Sequence, residues 1–289
     1  MTVKDFKELA SKDPIAWCPG CGNFGIMAAV QKAVVLLEKD PRDILLVSGI
    51  GQAAKLPHYL NANCFNGLHG RALPAATAAR IVNRKLTVIV TTGDGDCYGE
   101  GGNHFLHAVR RNIDITVIVS DNQIYGLTKG QASPTTEPGF VTKVQPDGVI
   151  NAAFHPLETA IVLGAGFVAR GFARDQDTLA AIIAEAVRHK GFSLVDVFSP
   201  CISFNKKNTY KWYGERVYNL QDVPGYDPAD RQAALAKAAE SGDRIPLGII
   251  YRKSGPSYTE LAGLEEKTPL VELPATAVDI RESLEEYTA

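Results

Sequence analysis

One stretch, residues 87–131, constrains the fold of this chain more than any other. Two apolar, β-branched runs, 87–92 and 115–120, each close in a polar turn: Gly93-Asp94-Gly95-Asp96 after the first and Asp121-Asn122 after the second. A helix-length segment, roughly 101–111, lies between them. Strand, helix and strand in that order make a βαβ unit. Its right-handed crossover carries both strand ends to the same edge of a parallel sheet, where ligands bind. The expected fold class is therefore α/β: an open, mostly parallel sheet with helices on both faces.

The residue types at those ends suit one chemistry. Gly93 and Gly95 let backbone approach a diphosphate closely, and free amides there bind its oxygens. Asp94 offers a carboxylate oxygen, and Asn122 offers a carbonyl oxygen from the next strand end. Those oxygens, a backbone carbonyl and diphosphate oxygens make the shell that Mg²⁺ prefers. Taken singly, Gly-Asp-Gly and Asp-Asn are ordinary turns. Their placement at the ends of successive strands is more specific, and it resembles the motif that holds thiamine diphosphate through Mg²⁺.

Composition sets the outer bounds. A chain of 289 residues, 45% hydrophobic and 21% charged, can bury a sizeable core as one large domain or two small ones. A formal net charge of −2 gives no reason to expect nucleic acid or an anionic membrane as partner. The first residues mix charges around no apolar segment, and no run nears the ~20 apolar residues of a membrane helix. A cytoplasmic protein is expected. Five cysteines, Cys18, Cys21, Cys64, Cys97 and Cys201, are an odd number in a large chain, which points to metal or redox chemistry rather than a disulfide framework.

The rest of the chain supplies further candidates. Cys18-Pro19-Gly20-Cys21 follows Trp17 and precedes a helix over about 24–37. Such a turn points two thiolates at one place, as zinc, iron–sulfur and thioredoxin-type sites require. No apolar strand precedes Trp17, against the thioredoxin arrangement, but the motif alone leaves structural, metal and redox readings open. A strand over 44–48 ends in Gly49-Ile50-Gly51-Gln52. His69 and Arg71 precede an Ala-rich helix over 72–82. Arg can hold a carboxylate through its fork, and His can donate to a carbonyl or move a proton. The residues alone favour an ordinary helix entry with exposed polar groups. His104 and His107 share a helix face without an acidic partner at ligand spacing, so they read as packing or hydrogen-bonding residues.

Residues 123–148 form a long loop rich in Gly, Pro and Thr, of a length that is usually functional or partner-contacting. Within it, Lys129 could reach an anion near Asn122. Helices are expected over 151–164, 177–189 and 229–239, and strands over 167–171, 194–198 and 246–251. Residues 164–169 match a dinucleotide fingerprint by letter, but a helix precedes and a strand follows, the reverse of what that mechanism needs. Ser199-Pro200-Cys201 closes a strand at the same sheet edge. Residues 204–218 mix aromatics with basic residues, which suits a partner-chain or acyl-carrier contact. The tail from Glu260 has eight acidic against two basic residues and reads as an arm over a partner or solvent.

Taken together, WCPGCG at 17–22, GIG at 49–51, LHGRALP at 68–74, GDGD with Asn122, YGLTKGQ at 125–131 and SPC at 199–201 resemble one family. It is the β subunit of 2-oxoacid:ferredoxin oxidoreductases, in its 2-oxoglutarate form. The likeness runs from about residue 15 to 220, and the motifs stand in the family's order.

The resemblance implies a thiamine-diphosphate-binding fold, with residues 1–220 as the thiamine diphosphate and iron–sulfur domain and 221–289 as a partner-contacting extension. It implies that Asp94, Asn122 and the Ile124 carbonyl hold Mg²⁺, that Gly93, Gly95 and Asp96 line the diphosphate, and that Ile50 and Gly51 lie against the cofactor. His69, Arg71 and Thr128 would act at the reacting centre, and Tyr125, Gly126, Leu127 and Thr128 would border the cofactor. Arg71 and Lys129 would bind substrate, Lys129 pairing the distal carboxylate of 2-oxoglutarate.

A [4Fe–4S] cluster would sit on Cys18, Cys21, Cys201 and a fourth cysteine. The family commonly has Cys directly after GIG, where this chain has Gln52, a poor ligand for a thiolate-held cluster; Cys64 is the expected substitute, Cys97 the second candidate, and a cluster with a non-Cys ligand, or none, the remaining alternative. Coenzyme A would take the acyl group to give succinyl-CoA and CO₂, and ferredoxin the electrons. An α subunit in an αβ or α2β2 assembly would supply the carboxylate that activates the cofactor. Pyruvate or broad 2-oxoacid use is the alternative. A non-redox thiamine diphosphate lyase would leave the cysteines unexplained, and a structural-zinc subunit would leave GDGD with Asn122 unexplained.

Overall fold

The computed structural model describes residues 5–274 and 280–287. Among the described residues one sheet holds eight strands: β1 (Ile44–Ser48), β2 (Asn63–Asn66), β3 (Thr87–Gly93), β4 (Thr116–Asp121), β5 (Phe167–Phe172), β6 (Ser193–Phe198), β7 (Val217–Asn219) and β8 (Ile245–Arg252). The strand order is β2-β1-β3-β4-β6-β5-β8-β7. The first six in that order run parallel, β8 joins β5 antiparallel, and β7 runs parallel to β8. The helices are α1 (Asn23–Leu36), α2 (Ala72–Val82), α3 (Gly102–Arg111), α4 (Pro156–Val162), α5 (Gln176–Arg188), α6 (Tyr210–Gly214), α7 (Arg231–Ala239), α8 (Tyr258–Leu261) and α9 (Arg281–Glu285). None is long and apolar enough to cross a membrane.

The strand runs are apolar on both sides because both faces are covered. Successive side chains point to opposite faces. Val88 and Val90 of β3 and Val117 and Val119 of β4 pack under α2, α3, α4 and α7. Ile89 and Ile118, between them, pack under α1 and α5. Each of these fully buried aliphatic side chains contributes about 1.5–3 kcal/mol. The α/β class, the open and mostly parallel sheet and the helices on both faces are as expected from the sequence.

Four local features differ from the sequence reading. The helix expected over 151–164 is only Pro156–Val162, with Pro156 in its first turn. Pro is tolerated there but not one turn further in. Strand β2 has no apolar alternation to announce it, and all four of its residues are exposed. Gly95–Glu100, read as a turn, is a π-helical turn leading into α3. Residues 220–222, where the domain boundary was expected, are a short 3-10 turn, and β8 beyond it lies inside the sheet with Ile250 and Tyr251 in the core under α7. Glu260, where the expected arm begins, lies within α8 and pairs with Lys190 at 2.9 Å. Residues 1–4, and 275–279 and 288–289 of the expected arm, lie outside the described residues.

Strand β1 has β2 on one side and β3 on the other, so the chain leaves it in both directions. A crevice opens at such a switch point, beyond the carboxyl ends of the strands. The loops after β1 and β3 face each other across it: a side chain added at Gly93 would touch the Ala53 methyl.

Candidate active site

Asp96 is the post to which the loops around the crevice are tied. It is 4% exposed. Its Oδ1 accepts from the backbone N–H of Ile50 at 3.2 Å and of Gly70 at 2.8 Å. Its Oδ2 accepts from the Thr92 hydroxyl at 2.8 Å. His69 Nδ1 lies 3.0 Å from Oδ1 and 3.4 Å from Glu100 Oε2. The approach is so close that a Cβ at Gly49 would sit 2.0 Å from Asp96 Oδ2, which is why position 49 is glycine. At Gly70, φ is +68° and a Cβ would meet the Glu100 backbone at 2.4 Å. Both carboxylate oxygens therefore have partners inside the protein, and Asp96 orients Ile50, His69 and Gly70.

Asp94 is 2% exposed, and burial raises its carboxyl pKa against the hydrogen bonds of Ser133 and Thr135. The Thr135 hydroxyl lies 2.8 Å from Asp94 Oδ2 and 2.7 Å from Asp121 Oδ1. One hydroxyl proton cannot serve two carboxylates, so one of the acids supplies the second proton. Burial and the charges of Asp196 and Asp94 push the Asp121 carboxyl up as well. A buried carboxylate calls for a cation or further donors. Asp94 thus fits the part of metal ligand on its own surroundings.

Asn122 and Ile124 stand on the next strand end. Asn122 Oδ1 accepts from the Ile124 N–H at 3.0 Å, turning the chain directly after β4. Asn205 Nδ2 holds the Asn122 carbonyl at 3.1 Å. Beyond them the YGLTKGQ loop closes on itself. Tyr125 and Gln131 form an isolated bridge, and the Gly130 N–H donates to the Tyr125 carbonyl at 2.8 Å. The Tyr125 ring lies so near Gly95 that a Cβ there would meet it at 2.3 Å, and its hydroxyl is 3.2 Å from each Glu100 carboxylate oxygen. Burial and Glu100 push the Tyr125 pKa up. Leu127, Thr128 and Lys129 are exposed at the tip, with the Thr128 hydroxyl bonded to Gln131. Lys129 has φ +77°, a left-handed backbone conformation costly for any residue with a Cβ. Arg71 is exposed at the start of α2.

Three cysteines meet beside this loop. Cys18, Cys21 and Cys201 line one pocket, whose wall also includes Gln52, Asn122 and Gly126. The start of α1 docks on the ends of β5 and β6 almost without clearance. A Cβ at Gly22 would lie 2.7 Å from Ser199 Cα, and one at Gly25 would lie 1.9 Å from the Ala173 carbonyl oxygen. The Gly22 N–H also donates to the Pro200 carbonyl at 3.3 Å. Burial, with Cys201 and Cys18 adding to it, pushes the Cys21 thiol up to about 11. Among the described residues no three His, Cys, Asp or Glu side chains converge as one metal ion requires. Three thiols around a shared pocket suit a polynuclear cluster, in which each thiolate takes its own iron.

The remaining cysteines are elsewhere. Cys64, expected as the fourth cluster ligand, is exposed on β2, where the parallel register sets it beside Leu46, below the strand end. It lines a separate groove with His58 and Asn61, and this corrects the expectation. Cys97 is buried in the core under α2 and α3. Gln52 is among the residues that share the pocket with the three cysteines.

The sequence matches two family models. Residues 18–197 match the thiamine pyrophosphate enzyme, C-terminal TPP binding domain, and residues 201–266 match the C-terminal part of the pyruvate ferredoxin oxidoreductase β subunit. A 2-oxoacid:ferredoxin oxidoreductase subunit β from Sulfolobus sp is 46% identical over 256 residues, covering 84% of each chain. The 2-oxoglutarate synthase subunit KorB of Methanothermobacter marburgensis is 35% identical over 257 residues, covering 84% of this chain and 90% of that one. Among solved structures, the 2-oxoglutarate:ferredoxin oxidoreductase from Magnetococcus marinus, with 2-oxoglutarate, coenzyme A and succinyl-CoA bound, superposes with a TM-score of 0.89 at 34% identity. That match covers 99% of this chain and 96% of the other. The chain belongs to the β subunits of the 2-oxoacid:ferredoxin oxidoreductases.

It is thus a subunit of an oxidoreductase built on a thiamine-diphosphate-binding fold. For this β subunit, the sequence reading missed Thr135, Glu100 and Asn205. Thr135 lies in the Ser133-Pro134-Thr135-Thr136 segment of the long loop, which folds back under the ends of β3 and β4. The loop's length and composition were the only signal. Its contact with Asp94 spans 41 residues, and no local pattern encodes it.

Proposed function

We propose that this β subunit works on 2-oxoglutarate with coenzyme A, forming succinyl-CoA and CO₂, and passes the electrons to ferredoxin through a [4Fe–4S] cluster. The site is completed by an α subunit. The observation that carries the reading is that Asn122 and Gly126, on the loop bearing Lys129, also form the wall of the cysteine pocket. Substrate loop, cofactor loop and electron acceptor then share one short segment, so electrons have little distance to cover.

In this reading Asp94, Asn122 and the Ile124 carbonyl hold Mg²⁺, and the amides near Gly93 and Gly95 take diphosphate oxygens. Thiamine diphosphate, when bound, supplies the electron sink for loss of CO₂. His69, fixed at Nδ1 by Asp96, presents its other nitrogen to a substrate oxygen, and Arg71 attracts the carboxylate that leaves. Cys18, Cys21 and Cys201 hold the cluster. Lys129 takes the distal carboxylate, and its left-handed backbone is the local strain that a functional position tolerates.

Substitution Lys129→Ala in the complete enzyme tests the substrate. A charge-assisted hydrogen bond is worth about 1.5–3 kcal/mol, so KM for 2-oxoglutarate should rise roughly 10- to 100-fold, with pyruvate kinetics unchanged. Equal changes for both substrates would favour the broader 2-oxoacid reading, which the exposure of Lys129 on this chain also allows.

A further inference from the structure

Gln52 follows the Gly-Ile-Gly turn and lines the pocket of Cys18, Cys21 and Cys201. The indole N–H of Trp17 donates to its backbone carbonyl at 2.8 Å, so the residue is fixed beside the Cys18 turn. Trp17 is held in turn between Phe24 and Tyr59. On the other side, Gln52 Cγ lies against Gly126. Its side-chain Oε1 is buried and has no hydrogen-bond partner. A buried carbonyl oxygen left unpaired carries its full desolvation penalty, and native structures rarely keep one without a use. Ser203, nearby, bonds Cys18 Sγ at 3.3 Å rather than Gln52. Cys64 and Cys97 lie outside the pocket.

We propose that the Gln52 carboxamide oxygen is the fourth donor of this pocket, so that the site offers three thiolates and one neutral, replaceable ligand to a cubane cluster. This rests on the iron–sulfur reading given above. Two consequences follow from the donor set. A neutral oxygen binds iron more weakly than thiolate, so the iron at the Gln52 corner is the one that exchanges. Removal of one electron from [4Fe–4S]²⁺ by an outer-sphere oxidant such as ferricyanide gives [4Fe–4S]³⁺. That species releases Fe²⁺ and leaves [3Fe–4S]⁺, with charge conserved. The second consequence is electrical. With one thiolate fewer, the cluster and its ligands carry one negative charge less, which raises the reduction potential and makes the site a readier electron acceptor.

The test uses the complete enzyme, purified and reconstituted without oxygen, with Gln52→Cys and Gln52→Ala made in the same background. Iron and acid-labile sulfide are counted before and after ferricyanide, and the cluster is followed by electron paramagnetic resonance during a redox titration. The native protein should fall from about four irons to about three per β chain and show the [3Fe–4S]⁺ signal. Added Fe²⁺ should reverse both. Gln52→Cys should keep all its iron and titrate at a lower potential. Gln52→Ala should lose the fourth iron several-fold faster than the native protein.

A native protein that keeps its iron as firmly as Gln52→Cys overturns the proposal while leaving the iron–sulfur reading intact. Loss from Gln52→Ala at the native rate overturns the carboxamide as ligand. Absence of iron and sulfide from the native protein and from Gln52→Cys alike overturns the proposal together with the iron–sulfur reading itself.

Discussion

Removing the Asp96 carboxylate should loosen two loops and leave the sheet alone. The substitution Asp96→Ala strips acceptors from the Ile50 N–H, the Gly70 N–H and the Thr92 hydroxyl, and removes the anchor of His69 Nδ1. A hydrogen bond to a charged group contributes about 1.5–3 kcal/mol, and water entering the vacated space recovers part of it. Taking the lower figure for each of the two amides gives about 3 kcal/mol of local stability. At 1.4 kcal/mol per factor of ten, that is about two decades in the opening equilibrium. Hydrogen–deuterium exchange on the complete enzyme reads this directly: protection at Ile50 and Gly70 should fall roughly 100-fold. Protection in β4 and β6 should hold. The substitution Asp96→Asn keeps an oxygen at the Oδ1 position that both amides share and gives up only its charge, so it should lose about half as much free energy. Protection at both amides within about threefold of native would refute the reasoning, because the loops would then be held by something other than Asp96. A loss spread evenly through the sheet would refute it too, since that would signal global destabilisation.

Two further outcomes rest on the same kind of argument. The substitution Gly22→Ala forces a methyl to within 2.7 Å of Ser199 Cα, and overpacking against backbone costs about 1–3 kcal/mol. A lower Tm and less bound iron should result; an unchanged Tm would mean that α1 shifts without cost. Asp196 is buried, accepts the Tyr98 hydroxyl at 2.6 Å, and has its pKa pushed up to about 6 by burial, against the Tyr98 bond and the charge of Arg170. A carboxyl raised in the folded state stabilises the fold fully below its ordinary value of 3.8, and that contribution is lost as pH rises through about 6. The stability of the native protein relative to Asp196→Asn should therefore fall between about pH 4 and pH 6 and level off above that. A flat difference in urea unfolding across this window would show that Asp196 stays ionised.

The parallel core was legible because it is written locally. The runs that became β1, β3, β4, β5 and β6 are short, β-branched and apolar, and the segments between them carry helical periodicity. Parallel strands joined by helices leave their chemical residues on one edge. The glycines and acids after β3, the Asn after β4 and the Cys after β6 could therefore be assigned to one edge from the sequence. Strand β2 and the π-helical turn after Gly93 were not legible, because neither has a local pattern of its own. The antiparallel place of β8 inside the sheet was decided by the empty edge of β5 rather than by the composition of β8.

The site divides in the same way. Residue types and their order determined that a diphosphate, a divalent metal and a thiolate-bound cluster were the chemistry to look for. Which groups touch was decided by folding. Asp96, expected beside the diphosphate, has its carboxylate tied to Ile50 and Gly70, because the loops of β1 and α2 fold over it. Thr135 reaches Asp94 and Asp121 only because a long loop returns beneath two strand ends. Cys64 is near the glycine turn in sequence but is held on an edge strand, while Gln52 lines the pocket of the three cysteines. The physical reason is common to all three. Strand ends are fixed by short-range pattern, but the direction of a side chain in a loop depends on backbone hydrogen bonds and close packing between segments far apart in the chain.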